Sequence, residues 1–225
     1  MKKKILCTIC IRQGSKGVKN KNIKKINGKP LVYYSLIAAK KSKIFRKIFA
    51  SSDSINFLNI CKKFGFKDLI KRPKKLSGDK IGKIDVIKHA LISAEKKYNI
   101  KFDHIIDLDV TSPLRNVNDI KKAYNKFILT NAPNLVTCTH SNRSPYFNMI
   151  EVKNSKVQLI RKNYKKYVRR QDTPITYDLN ASIYIWKRNC LLKNNLLFQK
   201  RTKIYVMPKS RSIDIDDNID FKIVS

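Results

Sequence analysis

Acidic residues are scarce in this chain. Across 225 residues, 16 Asp and Glu stand against 50 Lys and Arg, a formal charge of +34. Six glycines and seven prolines leave no room for a long flexible linker. No run of about 18 apolar residues that could span a membrane is present, and no internal repeat is seen. The opening Met1-Lys-Lys-Lys followed by Ile5 to Ile11 imitates a signal peptide, but the apolar stretch breaks at Arg12-Gln13 without a small-residue cleavage site. It reads as a first strand of a cytoplasmic protein. Five cysteines are an odd number, so a disulfide framework is not expected. Cys7 and Cys10 have C-x-x-C spacing, yet they fall within an apolar strand, where residues three apart point to opposite faces. They read as small buried hydrophobes. The three histidines, His89, His104 and His140, are scattered and read as structural.

Excess positive charge suits nucleic acid or an anionic surface. Here, however, the lysines are spread along the whole chain, and no zinc spacing, RNA-binding aromatic signature or recognition-helix pattern accompanies them. Specific binding of nucleic acid is not expected, nor is a membrane partner. A basic nucleic-acid-binding module remains the reading from a different class.

What is present is a chain that is 42% hydrophobic, enough for one α/β domain with a buried core. Strands are expected at 4–10, 47–51, 67–70, 104–108 and 135–139. Between them, helical periodicity runs through 31–41, from Asp53 or Ser54 to Phe64, 84–98, and from Asn118 or Asp119 to 129. This alternation predicts a Rossmann-like, mostly parallel sheet flanked by helices. Beyond residue 140 come short strand-like pieces at 147–153 and 157–160, then a basic loop and strands at 181–186 and 203–207. One domain, 1–225, with a small inserted lobe at about 141–175 is expected. Ligands of such sheets bind beyond the carboxyl ends of the strands, where the loops at 12–22, 51–53, 109–115 and 209–216 fall.

The first of these loops reads Arg12-Gln-Gly14-Ser15-Lys16-Gly17, then Lys19, Lys21 and Asn22. Its glycines allow close backbone approach, its N–H groups can cradle phosphate, and its cations can neutralise a triphosphate. It is not a Walker loop. The last loop holds Ser212-Ile-Asp214-Ile-Asp216, with Asp217 and Asp220 behind. Alternation puts Asp214 and Asp216 on one side of an extended segment, and two carboxylates beside substrate phosphates suit Mg²⁺. The competing reading is an acidic helix N-terminus, with Asp217 stabilising the dipole.

Eight stretches occur in the order seen in the acylneuraminate cytidylyltransferases, the CMP-sialic acid synthetases and their relatives. They are Arg12-x-Gly-Ser-Lys-Gly17, Lys21-Asn22, Ser52-Asp53, Arg72-Pro73, Thr111-Ser-Pro-Leu-Arg115, Arg170-Gln171, Asn180-Ala-Ser-Ile-Tyr184 and Asp214-Ile-Asp216. The opening Ile5 to Cys10, the Gly17 to Asn22 stretch, Asp107-Leu-Asp109 and Tyr177-Asp-Leu-Asn180 look most like the CMP-N,N′-diacetyllegionaminic acid synthases. The resemblance implies a nucleotide-diphospho-sugar transferase type of fold and transfer of CMP from CTP to a nonulosonic acid. It also implies a homodimer formed through the inserted lobe. Arg12, Gly14, Ser15, Lys16, Lys21, Asn22, Arg72 and Asp109 would bind CTP. Asp214 and Asp216 would carry Mg²⁺, and with Arg12, Lys16 and Lys21 would form the catalytic set. Arg170, Gln171, Asn180 and Tyr184 would face the sugar.

The chain departs from the sialic acid pattern at several points. Asp109-Val110 stands for Gln-Pro, Asp178 for an arginine, Ala181 for a glycine, and a serine near the nucleotide is replaced around Lys83. An aspartate facing the sugar carboxylate would repel it, so these residues are expected to meet hydroxyl or amide groups. That favours legionaminic over sialic acid, with pseudaminic acid a further alternative; Kdo enzymes usually show Ser-Thr-Arg where this chain has Ser15-Lys-Gly17. No residue in the motifs is an obvious general base.

Overall fold

The computed structural model describes residues 3–14, 17–18, 20–78, 80–161 and 167–225. The order of elements begins with β1 (Ile5–Ile11), the short hairpin β2 (Lys25–Ile26) and β3 (Lys29–Pro30), and α1 (Leu31–Ser42). It continues with β4 (Lys47–Ser52), α2 (Ile55–Lys63), β5 (Leu69–Lys71), α3 (Lys83–Tyr98), β6 (His104–Leu108), α4 (Val117–Thr130) and β7 (Asn134–His140). Last come β8 (Ile150–Lys153), β9 (Lys156–Leu159), β10 (Tyr177–Lys187), α5 (Arg188–Lys193), β11 (Lys203–Val206) and α6 (Asn218–Val224).

Seven strands form one sheet in the order β11-β7-β10-β6-β1-β4-β5. Parallel pairing joins β6, β1, β4 and β5, and separately β7 and β11. The exception is β10, antiparallel to both β6 and β7. β10 is also longer than the stretch expected at 181–186, and its register breaks between Leu179 and Tyr184, where Ala181 has φ 44°. Hydropathy marks the apolar half of this strand but cannot show its direction, which is set by the excursion of the chain between β7 and β10.

Alternation along the strands builds a core on each face. Ile5, Cys7, Ile9 and Ile11 pack toward α1, α2, α4 and α6, while Leu6 packs with Ile84, Ile87 and Leu91 of α3. Cys7 and Cys10 accordingly sit against different cores, and all five cysteines are free.

Helix starts differ from expectation in an informative way. Pro30 lies at the N-cap of α1, not within its first turn. Asn116 opens α4 with a capping box, its side chain accepting from Asp119 N while Asp119 accepts from Asn116 N. Asp119 is fully buried and also takes both ends of the Arg211 guanidinium at 2.8 and 2.9 Å, tying α4 to the turn after β11. Of the two residues expected to open α2, Ser54 is the N-cap residue, without a side-chain capping bond, while the Asp53 carboxylate turns back to Gln13 N.

Between β7 and β10, β8 and β9 form a hairpin turning at Asn154 and Ser155, both with positive φ, as a two-residue hairpin turn requires. Ile150, Val152 and Val157 are exposed on this hairpin. Among the described residues no helix is long and apolar enough to cross a membrane.

His104, at the start of β6, is buried between Tyr124 and Phe127 and shares a hydrogen bond with the Tyr124 hydroxyl. Burial depresses its pKa from 6.5 to about 4, with Lys3 and Lys187 adding to the effect against Asp103. The unfolded chain therefore binds the proton first as pH falls, so this group's contribution is complete above the unfolded value and is lost as pH falls toward 4. Urea denaturation should give a lower midpoint at pH 4.5 than at pH 7. His104→Phe should show a shallower loss over the same window.

Candidate active site

The carboxyl ends of β1, β5 and β6 open into a cleft of about 500 Å³, closed on its far side by the segment after β11. Arg12, Gly17, Lys21, Asn22, Arg72, Lys83, Asp109, Asp214 and Asp216 all line it.

The first and last loops meet at this cleft. A Cβ placed on Gly17 would lie 2.0 Å from the carbonyl oxygen of Asp216, so only glycine fits there. Lys21, buried, donates to the carbonyl of Ile215 and lies 3.2 Å from the Asp216 carboxylate. Asn22 donates to Arg12 O at 3.0 Å, fixing the chain's exit from β1. Arg72, buried after β5, donates to Ile11 O at 3.0 Å and approaches Asp53 at 3.6 Å. Asn22 and Arg72 thus hold the start of the first loop, Asn22 within it and Arg72 from outside.

A second buried arginine holds the loop after β6. Arg115 donates to Asp109 O at 2.8 Å, to Ser182 O at 2.7 Å and to the Ser35 hydroxyl. It links that loop to α1 and to the irregular stretch of β10, which fixes where Asp109 stands. The Asp109 carboxylate pairs with Lys83, which also lies 3.4 Å from the wholly buried Asp107. Burial alone would lower the Lys83 pKa, but Asp109 and Asp107 outweigh it and hold the ammonium well above its usual range. Conversely, burial would raise Asp109, and Lys83 holds it below the ordinary carboxylate value.

The acidic segment divides into two functions. Asp217 caps α6, accepting from Ile219 N and Asp220 N, and Asp220 accepts in return from Asp216 N and Asp217 N. Those two belong to the helix N-terminus. Asp214 and Asp216 face the cleft. Burial pushes the Asp214 carboxyl up to about 6, reinforced by the charges of Asp109 and Asp216 and opposed by a bond from Thr111. Asp214 Oδ1 is buried without a hydrogen-bond partner. Among the described residues no group of three His, Cys, Asp or Glu could by itself hold a metal ion. Two carboxylates, one with an orphan oxygen, fit Mg²⁺, which binds one or two carboxylates plus substrate phosphates and water.

A sequence profile described as Cytidylyltransferase matches residues 6–223. This chain belongs to the cytidylyltransferase family. It is 46% identical over 220 residues to the post-translational flagellin modification protein B of Campylobacter coli, covering 98% of this chain and 93% of that protein. It is 45% identical, with the same coverage, to the CMP-N,N′-diacetyllegionaminic acid synthase of Campylobacter jejuni subsp. jejuni serotype O:2. A solved CMP:2-keto-3-deoxy-manno-octonic acid synthetase complexed with CTP superposes with a TM-score of 0.67 over 98% of this chain and 96% of that one. At 16% identity, that likeness speaks to the fold.

The cytidylyltransferase chain brings together Arg12, Lys21, Asn22, Arg72, Asp109, Asp214 and Asp216. Gly14, at φ 86°, turns the loop behind them. Ser15 and Lys16, like Lys19, lie outside the described residues. Asn180 is buried away from the cleft; it accepts from Thr137 and donates to Ser212, joining β10 to β7 and to the last loop. Tyr184 is buried behind Lys83, whose ammonium sits 4.2 Å from its ring. Arg170 and Gln171 line a separate hollow with His140, Ser141 and Arg143, where Arg170 donates to Ser141 O. Lys83, Thr111 and Cys10 also line the cleft, beyond the residues expected from the motifs. A lysine opening a helix, against the dipole, was the available signal for Lys83.

Because the atom that Gly17 faces is backbone, neither partner can rotate away. Gly17→Ala should weaken CTP binding, measured calorimetrically, by tenfold or more while the far-ultraviolet circular dichroism stays native.

Proposed function

We propose that this enzyme transfers CMP from CTP to a nonulosonic acid, N,N′-diacetyllegionaminic acid, giving the CMP-sugar and pyrophosphate. The observation that carries this reading is the convergence in one cleft of the cationic first loop and the Asp214–Asp216 pair, clasped through Gly17 and Lys21. Arg12 and Lys21 bind and orient the triphosphate, and Asn22 and Arg72 keep the start of that loop in place. Asp214 and Asp216 would hold Mg²⁺, which supplies charge neutralisation at the phosphate oxygens. The anomeric hydroxyl of the sugar attacks the α-phosphorus and pyrophosphate leaves, a reaction that depends on positioning and cations more than on covalent chemistry. No histidine lines the cleft among the described residues.

The acceptor is supported by the legionaminic acid relative and by Asp109, whose carboxylate suits hydroxyl or amide donors. Pseudaminic and N-acylneuraminic acids are the alternatives, since relatives bearing those names are 32% and 31% identical to this chain. Dependence on CTP and the free cysteines fit a cytoplasmic enzyme. The hairpin of the inserted segment supports a homodimer. Val152 lies opposite Val157 and Ile150 opposite Leu159, so alternation places these apolar residues on one face, with Ile150, Val152 and Val157 exposed.

Pyrophosphate release should be seen with Mg²⁺, CTP and N,N′-diacetyllegionaminic acid, and should fall on exchange for UTP or for pseudaminic, N-acetylneuraminic or Kdo acceptors. Asp214→Asn should lower kcat by about a hundredfold, the scale on which one charge-stabilising group acts. Undiminished Mg²⁺-dependent turnover would remove Asp214 from the metal site. In light scattering the native chain should have the mass of a dimer, and Val152→Lys/Val157→Lys that of a monomer.

A further inference from the structure

Lys83 is placed against local preference. It is the first residue of the 16-residue helix α3, where the helix dipole disfavours a cation, and Gly82 before it provides no side-chain cap. Its ammonium lies between Asp109 and Asp107, over the face of Tyr184. Asp107 is wholly buried in the centre of the sheet; Thr8 donates to its Oδ1 at 2.7 Å, and its Oδ2 has no hydrogen-bond partner. Two carboxylates thus share one ammonium at the wall of a cleft otherwise equipped to receive anions. Burial holds the Asp107 carboxyl above its usual range, so without Lys83 it would take up a proton, and Asp109 would stand as the uncompensated anion beside a triphosphate. With it, Asp109 stays charged without acting as a lone anion and can accept hydrogen bonds from neutral donors.

We propose that Lys83 and Asp109 act as one specificity-determining unit, in which Asp109 accepts from a neutral hydroxyl, amino or amide N–H donor of a substrate and Lys83 cancels its charge toward the anionic groups. Asp107 holds Lys83 from the core side, and Tyr184 backs the ammonium so that it stays directed along the cleft wall. The pair works as an acceptor and a donor side by side, and Asp109 itself has no hydrogen bond to offer a carboxylate or phosphate. This inference rests on the proposed CMP transfer. The donor belongs either to the nucleoside of CTP or to the acceptor sugar, and the two are separated by measuring CTP affinity in the absence of sugar alongside the KM of each substrate.

The test is a double-mutant cycle with Lys83→Met, Asp109→Asn and the combined variant, each checked by thermal melting, with Lys83→Arg as the charge-keeping control. Lys83→Met should raise the CTP Kd by tenfold or more, because it leaves the Asp109 carboxylate uncompensated at the cleft wall. Asp109→Asn should raise the KM of whichever substrate supplies the donor by about tenfold. The combined variant should bind CTP within about threefold of Asp109→Asn alone, well short of the product of the two single effects. If the Met variant does not fold, Lys83→Arg should keep CTP affinity near that of the native chain, with a changed substrate KM. Single effects that multiply, or an unchanged CTP Kd in folded Lys83→Met, would overturn the inference. A native chain that releases no pyrophosphate with any acceptor would instead strike the CMP-transfer reading, a separable outcome.

Discussion

Residues 17 and 21 touch the backbone and side chain of residues 215 and 216 across nearly the whole length of the chain. The rest of the site depends on this clasp. It sets a loop that supplies cations against a segment that supplies carboxylates, although β1 and β11 lie well apart in the sheet. Under the proposed function, neither loop alone makes a place for a metal-bound triphosphate. Gly17 is required because the backbone of Asp216 occupies the space of any side chain, which explains this glycine by packing before any contact with phosphate is considered.

Buried charge is the second organising constraint. Asp107, Asp109, Asp119, Arg72 and Arg115 all lie within or beside the sheet, and each has a charged or backbone partner. Burying a charge without such compensation is expensive, so these side chains hold their surroundings in one arrangement. Arg115 is the strongest instance, because it satisfies the carbonyl of Asp109 and that of Ser182 at the irregular part of β10. The overall +34 charge adds a favourable field for an anionic substrate, but the proposed chemistry rests on the few cations held inside the cleft.

Most of the parallel half of the fold is legible in the sequence, because β1, β4, β6 and β7 are short apolar runs separated by amphipathic helices. The direction of β10 is not, since direction depends on the intervening chain and on Arg115 reaching Ser182. At α4 the composition points to a cap two or three residues late, at Asn118 or Asp119, whereas Asn116 and Asp119 cap each other across the first turn. For the site, clustered motif residues were legible wherever a loop's composition was unusual, as at Arg12 to Asn22 and Asp214 to Asp216. The division of the acidic cluster into a helix cap and a cleft-facing pair needed the structure. So did the partners of Asn180 and Tyr184, which sit beneath the site, the first binding strands together and the second supporting Lys83.

The central claim is that one cleft, closed by the Gly17 and Lys21 clasp, binds a metal-complexed CTP. A crystal structure of the chain grown with CTP and Mg²⁺ tests it most directly. The triphosphate should lie against Arg12 and Lys21, with the metal ion on Asp214 and Asp216. A triphosphate bound elsewhere, or a metal ion held by Asp217 and Asp220 in place of that pair, would contradict it.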